Sequence, residues 1–214
     1  MELRHVCAVA ITVASVDSAA IAVAVSATPH ETLYASDPAA SVLEELALTL
    51  GEGPGVDALT GGVVLVSDIT DAIFVTRWPV FAPAAAGAGV RAMFALPLQA
   101  GGIRLGVMGL CRSRPGGLDG EQLADALILA DTACALLLDL AGRSTDRPLA
   151  GEPEPVGGQH PVVHQATGML IVQLGVSAAV AMTRLRAYAY AHDRRLRDVA
   201  ADVVARRLRF SSEG

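Results

Sequence analysis

The chain has 214 residues, a formal charge of −6 and 52% apolar residues, enough for one large or two small domains and too apolar for a globally disordered chain. It contains no Lys and no Asn, which excludes a P-loop lysine, a Schiff-base lysine and Asn-mediated magnesium binding or base reading. Its three Cys lack CxxC spacing, which excludes a disulfide scaffold and a Cys-rich zinc module.

Residues 5–27 are nearly all apolar behind Arg4, the composition of an export signal or a membrane span. Asp17-Ser18 interrupts the run with turn chemistry. On one side small residues alternate with Val9, Ile11 and Val13, and on the other with Ile21, Val23 and Val25. That period of two predicts a β-hairpin of residues 7–13 and 20–26 in a cytoplasmic chain without a membrane span, its Cys kept reduced. A third strand is expected at 31–35. Apolar residues at 42, 43, 46, 47 and 50 predict a helix that Gly51 ends. Residues 51–55 read as a turn-rich loop, 57–59 as a helical turn, 63–66 as a strand ending at Asp68, and 77–86 as a short segment. Strands at 92–97 and 105–111 flank the Gly101-Gly102 turn. Residues 118–142 form a long amphipathic helix. Because the chain enters the sheet at once, no N-terminal helix is expected to pair with that one.

Residues 143–158 are rich in Pro, Gly and Glu without periodicity, the composition of a flexible linker. Beyond it, Val163, Thr167, Leu170 and Leu174 share one face of a helix at 160–174, with Gly175 as its C-cap. Ser177 caps a second helix at 178–192, and a third spans 196–208. The fold class is therefore α+β: an antiparallel sheet with flanking helices, followed by a small three-helix bundle.

Charge divides the chain. Residues 1–158 hold eight Arg against eighteen acids, and residues 159–214 hold eight Arg against four. An acidic front joined to a basic tail suggests a nucleic-acid partner for the tail. On the second tail helix Ala178, Ala181, Met182, Leu185, Ala189 and His192 form one stripe. Arg184 with Tyr188 and Arg186 with Tyr190 flank it, each Arg four residues before its Tyr. Arg forks hold phosphates and aromatic rings stack on unpaired bases. Arg194, Arg195 and Arg197 cluster at the next corner, and Arg206, Arg207 and Arg209 close the tail. The alternative is a solvated Arg face with Tyr rings covering the helix.

Residues 51–142 resemble a GAF domain of the actinobacterial signalling type, through GEGP at 51–54, Asp57-Ala58, VVLVSD at 63–68, RWP at 77–79, GVR at 89–91, LPL at 96–98 and GVMGL at 106–110. Residues 162–208 resemble an ANTAR domain, the RNA-binding module of transcription antitermination regulators. The matching residues are Ala166-x-Gly168-Met169-Leu170, Leu174-Gly175-Val176-Ser177, Ala181, Leu185-Arg186-x-x-Ala189 and Leu196-x-x-Val199-Ala200. Thr167 and Gln173 stand where many ANTAR members carry Lys and Arg.

The resemblance implies a GAF-like sensor at 1–142, the linker at 143–158, an ANTAR-like RNA-binding domain at 159–209 and a tail at 210–214. It implies a homodimer that senses a small-molecule ligand and stabilises hairpin RNA in nascent transcripts. The implied RNA-binding residues are Gln165, Ala166, Thr167, Gly168, Arg184, Arg186, Tyr188, Arg194, Arg195 and Arg197. Arg186 leads, since it matches the family's Leu-Arg pair; its alternative is an ion pair with Asp198 or Asp202. Ala166 and Gly168 are small positions where RNA or a partner helix could approach closely.

Other chemistry is thin. His160 and His164 have the spacing of a metal pair but lack a third ligand, and read as solvated or capping. Cys7, Cys111 and Cys134 lie in apolar contexts and read as buried thiols. Asp68 reads as structural, and Glu44-Glu45 needs no catalytic role. No Ser–His–Asp order, zinc signature or GxGxxG appears, so neither an enzyme nor a cofactor is expected. A protein-binding signalling adaptor, or a sensor of ligand or redox state in the front domain, remain the alternatives.

Overall fold

Five antiparallel strands form one sheet in the computed structural model, which describes residues 2–25, 28–145 and 161–211. They are β1 (Ser18–Val25), β2 (Thr28–Ala35), β3 (Val64–Val66), β4 (Ala92–Ala100) and β5 (Ile103–Arg112), in the order β2-β1-β5-β4-β3. The β4 strand shows why its residues suit a central position. Phe94, Leu96 and Leu98 point to one face and Met93 and Ala95 to the other, and all are buried. Pro97 is tolerated because β3 pairs only with Met93–Ala95 and leaves that stretch of the β4 edge free.

Helices α1 (Leu3–Val13) and α6 (Gly120–Thr145) cover the first face, where Val6, Cys7, Ala10, Ala126, Ala130 and Leu137 pack on Phe94, Leu96 and Met108. Helices α2 (Pro38–Leu50), α3 (Pro54–Gly61), α4 (Ala72–Arg77) and α5 (Phe81–Gly87) cover the second, around Leu43, Trp78 and Phe81. The bundle consists of α7 (Pro161–Leu174), α8 (Ala178–Ala191) and α9 (Leu196–Val204). The expected α+β class holds.

The strand expected at residues 7–13 is instead part of α1. Val6, Cys7, Ala10 and Ala14 are buried at helical spacing, while Val9, the start of the apparent alternation, lies on the outside. The Glu2 N–H donates to His5 Nδ1 at the first turn. The expectation that α6 lacks an N-terminal partner fails with it, since α1 packs directly on α6. Smaller shifts also occur. The 51–55 loop gives way to α3 at Pro54, the segment at 77–86 divides into the end of α4 and α5, and residues 143–145 continue α6. The third bundle helix stops at Val204, short of 208, and Arg206 takes a positive φ of 59°. The rest of the expected linker, 146–158, lies outside the described residues, as does His160.

Arg112 locks the first face. Its guanidinium donates to the carbonyls of Ala14 (2.6 Å), Ser15 (3.0 Å) and Gly117 (2.9 Å) and to Gln122 Oε1 (3.1 Å), joining α1, β5 and the entry to α6.

The bundle sits on α2. Leu48, on the outer side of α2, is buried in the same apolar cluster as Leu170, Leu185 and Leu196. The front domain thus places one of its own side chains in the core of the bundle.

Candidate functional site

Helix α7 turns Val163, Ala166, Thr167 and Leu170 inward. Thr167 donates its hydroxyl to the Val163 carbonyl at 2.8 Å, which lets a polar side chain be buried within a helix. Ala166 and Thr167 are therefore core positions, away from any surface that RNA could reach. Gln165 and Gly168 lie on the outward face of the same helix. They line a groove of about 580 Å³ with Met169, Val172, Arg206 and Arg209. Val172 is 85% exposed. A Cβ added at Gly168 would meet nothing within 4 Å, so the backbone is open to close approach.

Gly175, with a φ of 64°, and Ser177, whose side chain accepts from the Val180 N–H, set the turn into α8. Ala181, Met182, Leu185 and Ala189 form its buried stripe. Arg184 donates to the Ser211 carbonyl at 3.1 Å. Tyr188 stacks on His192 with ring centroids 3.9 Å apart and meets Phe210 edge-on at 5.4 Å. Both residues of this flank are thus engaged with the chain end.

Arg186 lies on the opposite flank, against the front domain. Its Nε donates to the Leu48 carbonyl at 2.9 Å, its Nη2 is buried without a partner, and burial lowers its pKa. Gly51, the left-handed C-cap of α2, makes room: a Cβ there would stand 2.5 Å from Arg186 Nη1. The alternative of an ion pair with Asp198 or Asp202 does not form. Asp202 is taken by Arg194 at 2.6 Å and Arg207 at 2.7 Å, whose hydrogen bonds lower its pKa. Arg194, Arg195 and Arg197 line a cleft of about 860 Å³ between the α8–α9 corner and α2, together with Tyr190. Arg195 and Arg197 are exposed, the latter 3.8 Å from Asp198.

The predicted residues therefore fall in separate places: the outward groove, the chain-end flank, the seat on α2, the inter-domain cleft and the core. The groove also recruits Arg206 and Arg209, which the implied set omitted. Their signal was the Arg-Arg-x-Arg run at 206–209.

The front domain holds a second site. Between α2, α3, α5 and the sheet lies a cavity of about 20 Å³, floored by Ala20, Ala95, Val107 and Gly109. Glu44 enters it from α2. Its Oε2 has neither solvent contact nor hydrogen-bond partner, and burial pushes the carboxyl up to about 7. Cys111 stands beside it, its thiol raised to about 12 by burial and then by the nearby Glu44 charge. The sequence reading gives Glu44 no role beyond its place on an amphipathic helix. The sheet-facing stripe of α2 runs 40, 43, 44, 47, which puts the acid inside it and leaves Val42 outside. Asp68 is structural: Arg91 binds both its oxygens and Thr70 closes the turn, holding its pKa far below the usual carboxylate range. The three Cys are buried. Among the described residues no cluster of His, Cys, Asp and Glu could hold a metal, and no single helix is long and apolar enough to cross a membrane.

The family model of the GAF domain matches residues 2–141, and that of the ANTAR domain matches residues 159–204. The first is a sensory class and the second an RNA-binding antiterminator class; both are regulatory. The chain is similar to a domain of a two-component sensor histidine kinase protein from Sinorhizobium meliloti 1021. That match is 17% identical, spans 67% of this chain and 94% of that one, and has a TM-score of 0.55. It is also similar to a GAF domain from Synechocystis sp. PCC6803 in its photoproduct state, at 15% identity, 66% and 95% coverage and a TM-score of 0.53. These likenesses establish the fold. No curated protein matches the chain.

Proposed function

Because the chain belongs to the GAF domain family and carries an ANTAR match behind that domain, we propose that it is a signal-responsive RNA-binding regulator of transcription antitermination. The sensor is residues 1–142 and the output 159–209, joined by 143–158. The output stabilises hairpin RNA in nascent transcripts against a competing terminator, in the cytoplasm where transcripts are made. A small molecule in the sensor biases the output by population shift.

The observation that carries this reading is the groove on the outward face of α7. Gln165 supplies amide hydrogen bonds, Gly168 lets a nucleotide approach the backbone, Val172 offers an apolar contact, and Arg206 and Arg209 supply phosphate forks. Arg195 and Arg197, exposed at the α8–α9 corner, offer a second, separate basic patch. Arg186 has a different part in this scheme. Docked on α2, it couples the output to the sensor, and it reaches RNA only when α8 leaves that seat. The protein acts as a homodimer through the exposed side of α1 and α6, where Val9, Ile128 and Leu138 face outward. Two outputs on tandem hairpins then gain effective concentration.

The test is binding of the purified chain to a tandem-hairpin RNA pool across a salt series. Hairpins with exposed loops are enriched. Arg206→Ala and Arg209→Ala each weaken binding to all of them and lower the salt slope by about 1. Binding no better than to scrambled RNA overturns the proposal and favours the adaptor reading, in which the basic tail engages a protein.

A further inference from the structure

A buried carboxylate normally has a counter-ion or several hydrogen-bond donors, because an unpaired charge in an apolar site is strongly penalised. The Glu44 cavity supplies neither. Its lining from β1, β4 and β5 is Ala, Phe, Met, Val and Gly, apart from Cys111, whose thiol is buried and proton-bearing. Its lining from α3 and α5 is Pro54, Gly55 and Phe81. No basic side chain reaches it. Arg186, which docks on α2, is engaged at the end of that helix, with the Leu48 carbonyl and beside Gly51. The chain has built one half of an ion pair and left the other half open.

The missing half has a size and a chemistry. A volume of about 20 Å³ admits a group the size of one water molecule. Hard cations such as magnesium and calcium need six or more oxygen ligands, and one carboxylate beside a thiol, the Met93 thioether and the Phe81 ring is not such a set. Walls that include two aromatic residues, Phe81 and Phe94, around a single carboxylate suit an ammonium group instead, which gains from the charge and tolerates aromatic neighbours. Gly109 is the position that keeps the space open: a Cβ there would lie 3.4 Å from Glu44 Oε1 and fill it.

We propose that this cavity is a binding site for a primary-ammonium group, ammonium itself or the head of a short alkylamine, with Glu44 as its counter-ion. The proposal rests on the sensor reading of the front domain and names the class of its signal. It also gives the signal a short path to the output. Glu44 stands one turn from Leu48, whose side chain lies in the core of the bundle and whose carbonyl accepts from Arg186.

The test compares the melting temperature of the full chain in methylammonium chloride and in potassium chloride at equal ionic strength, near pH 6 and near pH 8. Saturation-transfer NMR on the methylammonium methyl group supplies a direct readout of contact. Methylammonium raises the melting temperature in a saturable way, more at the higher pH, where no proton competes for the carboxylate. Glu44→Gln weakens the apparent affinity by roughly tenfold or more. Gly109→Ala, which keeps the acid and fills the space, also loses the response. Equal melting in both salts at both pH values overturns the proposal. So does a melting temperature that follows pH alone, which would mean that the cavity takes only a proton. Hairpin RNA binding is measured on the same samples. RNA binding without a methylammonium effect leaves the proposed function standing and removes this site. A methylammonium effect without RNA binding does the reverse.

Discussion

Arg112 and Glu44 are two buried charges solved in opposite ways. Arg112 has no carboxylate partner, yet backbone carbonyls and one amide oxygen hold all three of its nitrogens, and its guanidinium lies 5.3 Å from the centre of the Phe94 ring. Replacing it with Met keeps the stem and strands those carbonyls. Arg112→Met is expected to cost roughly 3 kcal/mol by urea denaturation. Glu44 has no such support, so its charged form is disfavoured in the folded state. It holds its proton up to about pH 7, against an ordinary value of 4.5. Below that ordinary value the acid is neutral in both folded and unfolded chains and costs nothing as a charge. As pH rises from about 4.5 to about 7 the unfolded chain ionises first, and folding stability falls. Glu44→Gln removes that loss. Its advantage over the natural chain should be near zero at low pH, grow through that window to on the order of 3 kcal/mol, and then level off. An advantage that is flat with pH would place the Glu44 carboxyl in water.

Among the elements, α2 carries two environments on two sides. Its inner side closes the Glu44 cavity and its outer side seats the bundle through Leu48, the Leu48 carbonyl and Thr49. Leu48→Ala should cost roughly 3 kcal/mol, and the loss should fall on the bundle. Hydrogen exchange would then speed up in α8 and α9 while the β4 and β5 amides stay protected. Uniform acceleration would mean that sheet and bundle open as one cooperative unit. Much of this layout could be read from residues. Gly51, Gly175 and Ser177 mark helix ends by their own backbone and capping preferences, and Gly101-Gly102 marks the β4–β5 turn. Residues 7–13 misled because Val and Ala fit either period. Only the partner surface of α6 and the sheet decides that Val6, Cys7 and Ala10 face inward. The site was less legible for the same reason. Helical spacing told which residues of α8 share a flank, but not that α2 occupies the Arg186 flank. Ala166 follows a family pattern that does not say what covers it, whereas Thr167 shares the apolar spacing of Val163, Leu170 and Leu174, a signal of the inward place it takes.

At the scale of the whole molecule, an acidic sensor and a basic output are held together by a small contact and continued by an exposed apolar side on α1 and α6. If the proposed dimer forms there, the natural chain runs at twice the chain mass by light scattering and Ile128→Glu on that side converts it into a monomer, with the melting temperature of the fold retained. A wild-type chain that runs at single mass would remove the dimer from the proposed scheme. The seat on α2 has a consequence for how such proteins can be assembled from parts. Leu48 packs into the apolar cluster of the bundle from the side of α8 and α9, although it lies more than a hundred residues upstream of α7 in the sequence. An output cut at residue 159 and joined to a foreign sensor would bring a hollow where Leu48 belongs and an Arg186 with no carbonyl to receive it. Under the proposed scheme, exchange of input modules, in evolution or in a chimera, is expected to succeed only with sensors whose equivalent of α2 offers a leucine-sized knob and a free carbonyl at its end. In that scheme, compatibility between signal and response is written on one helical turn of α2.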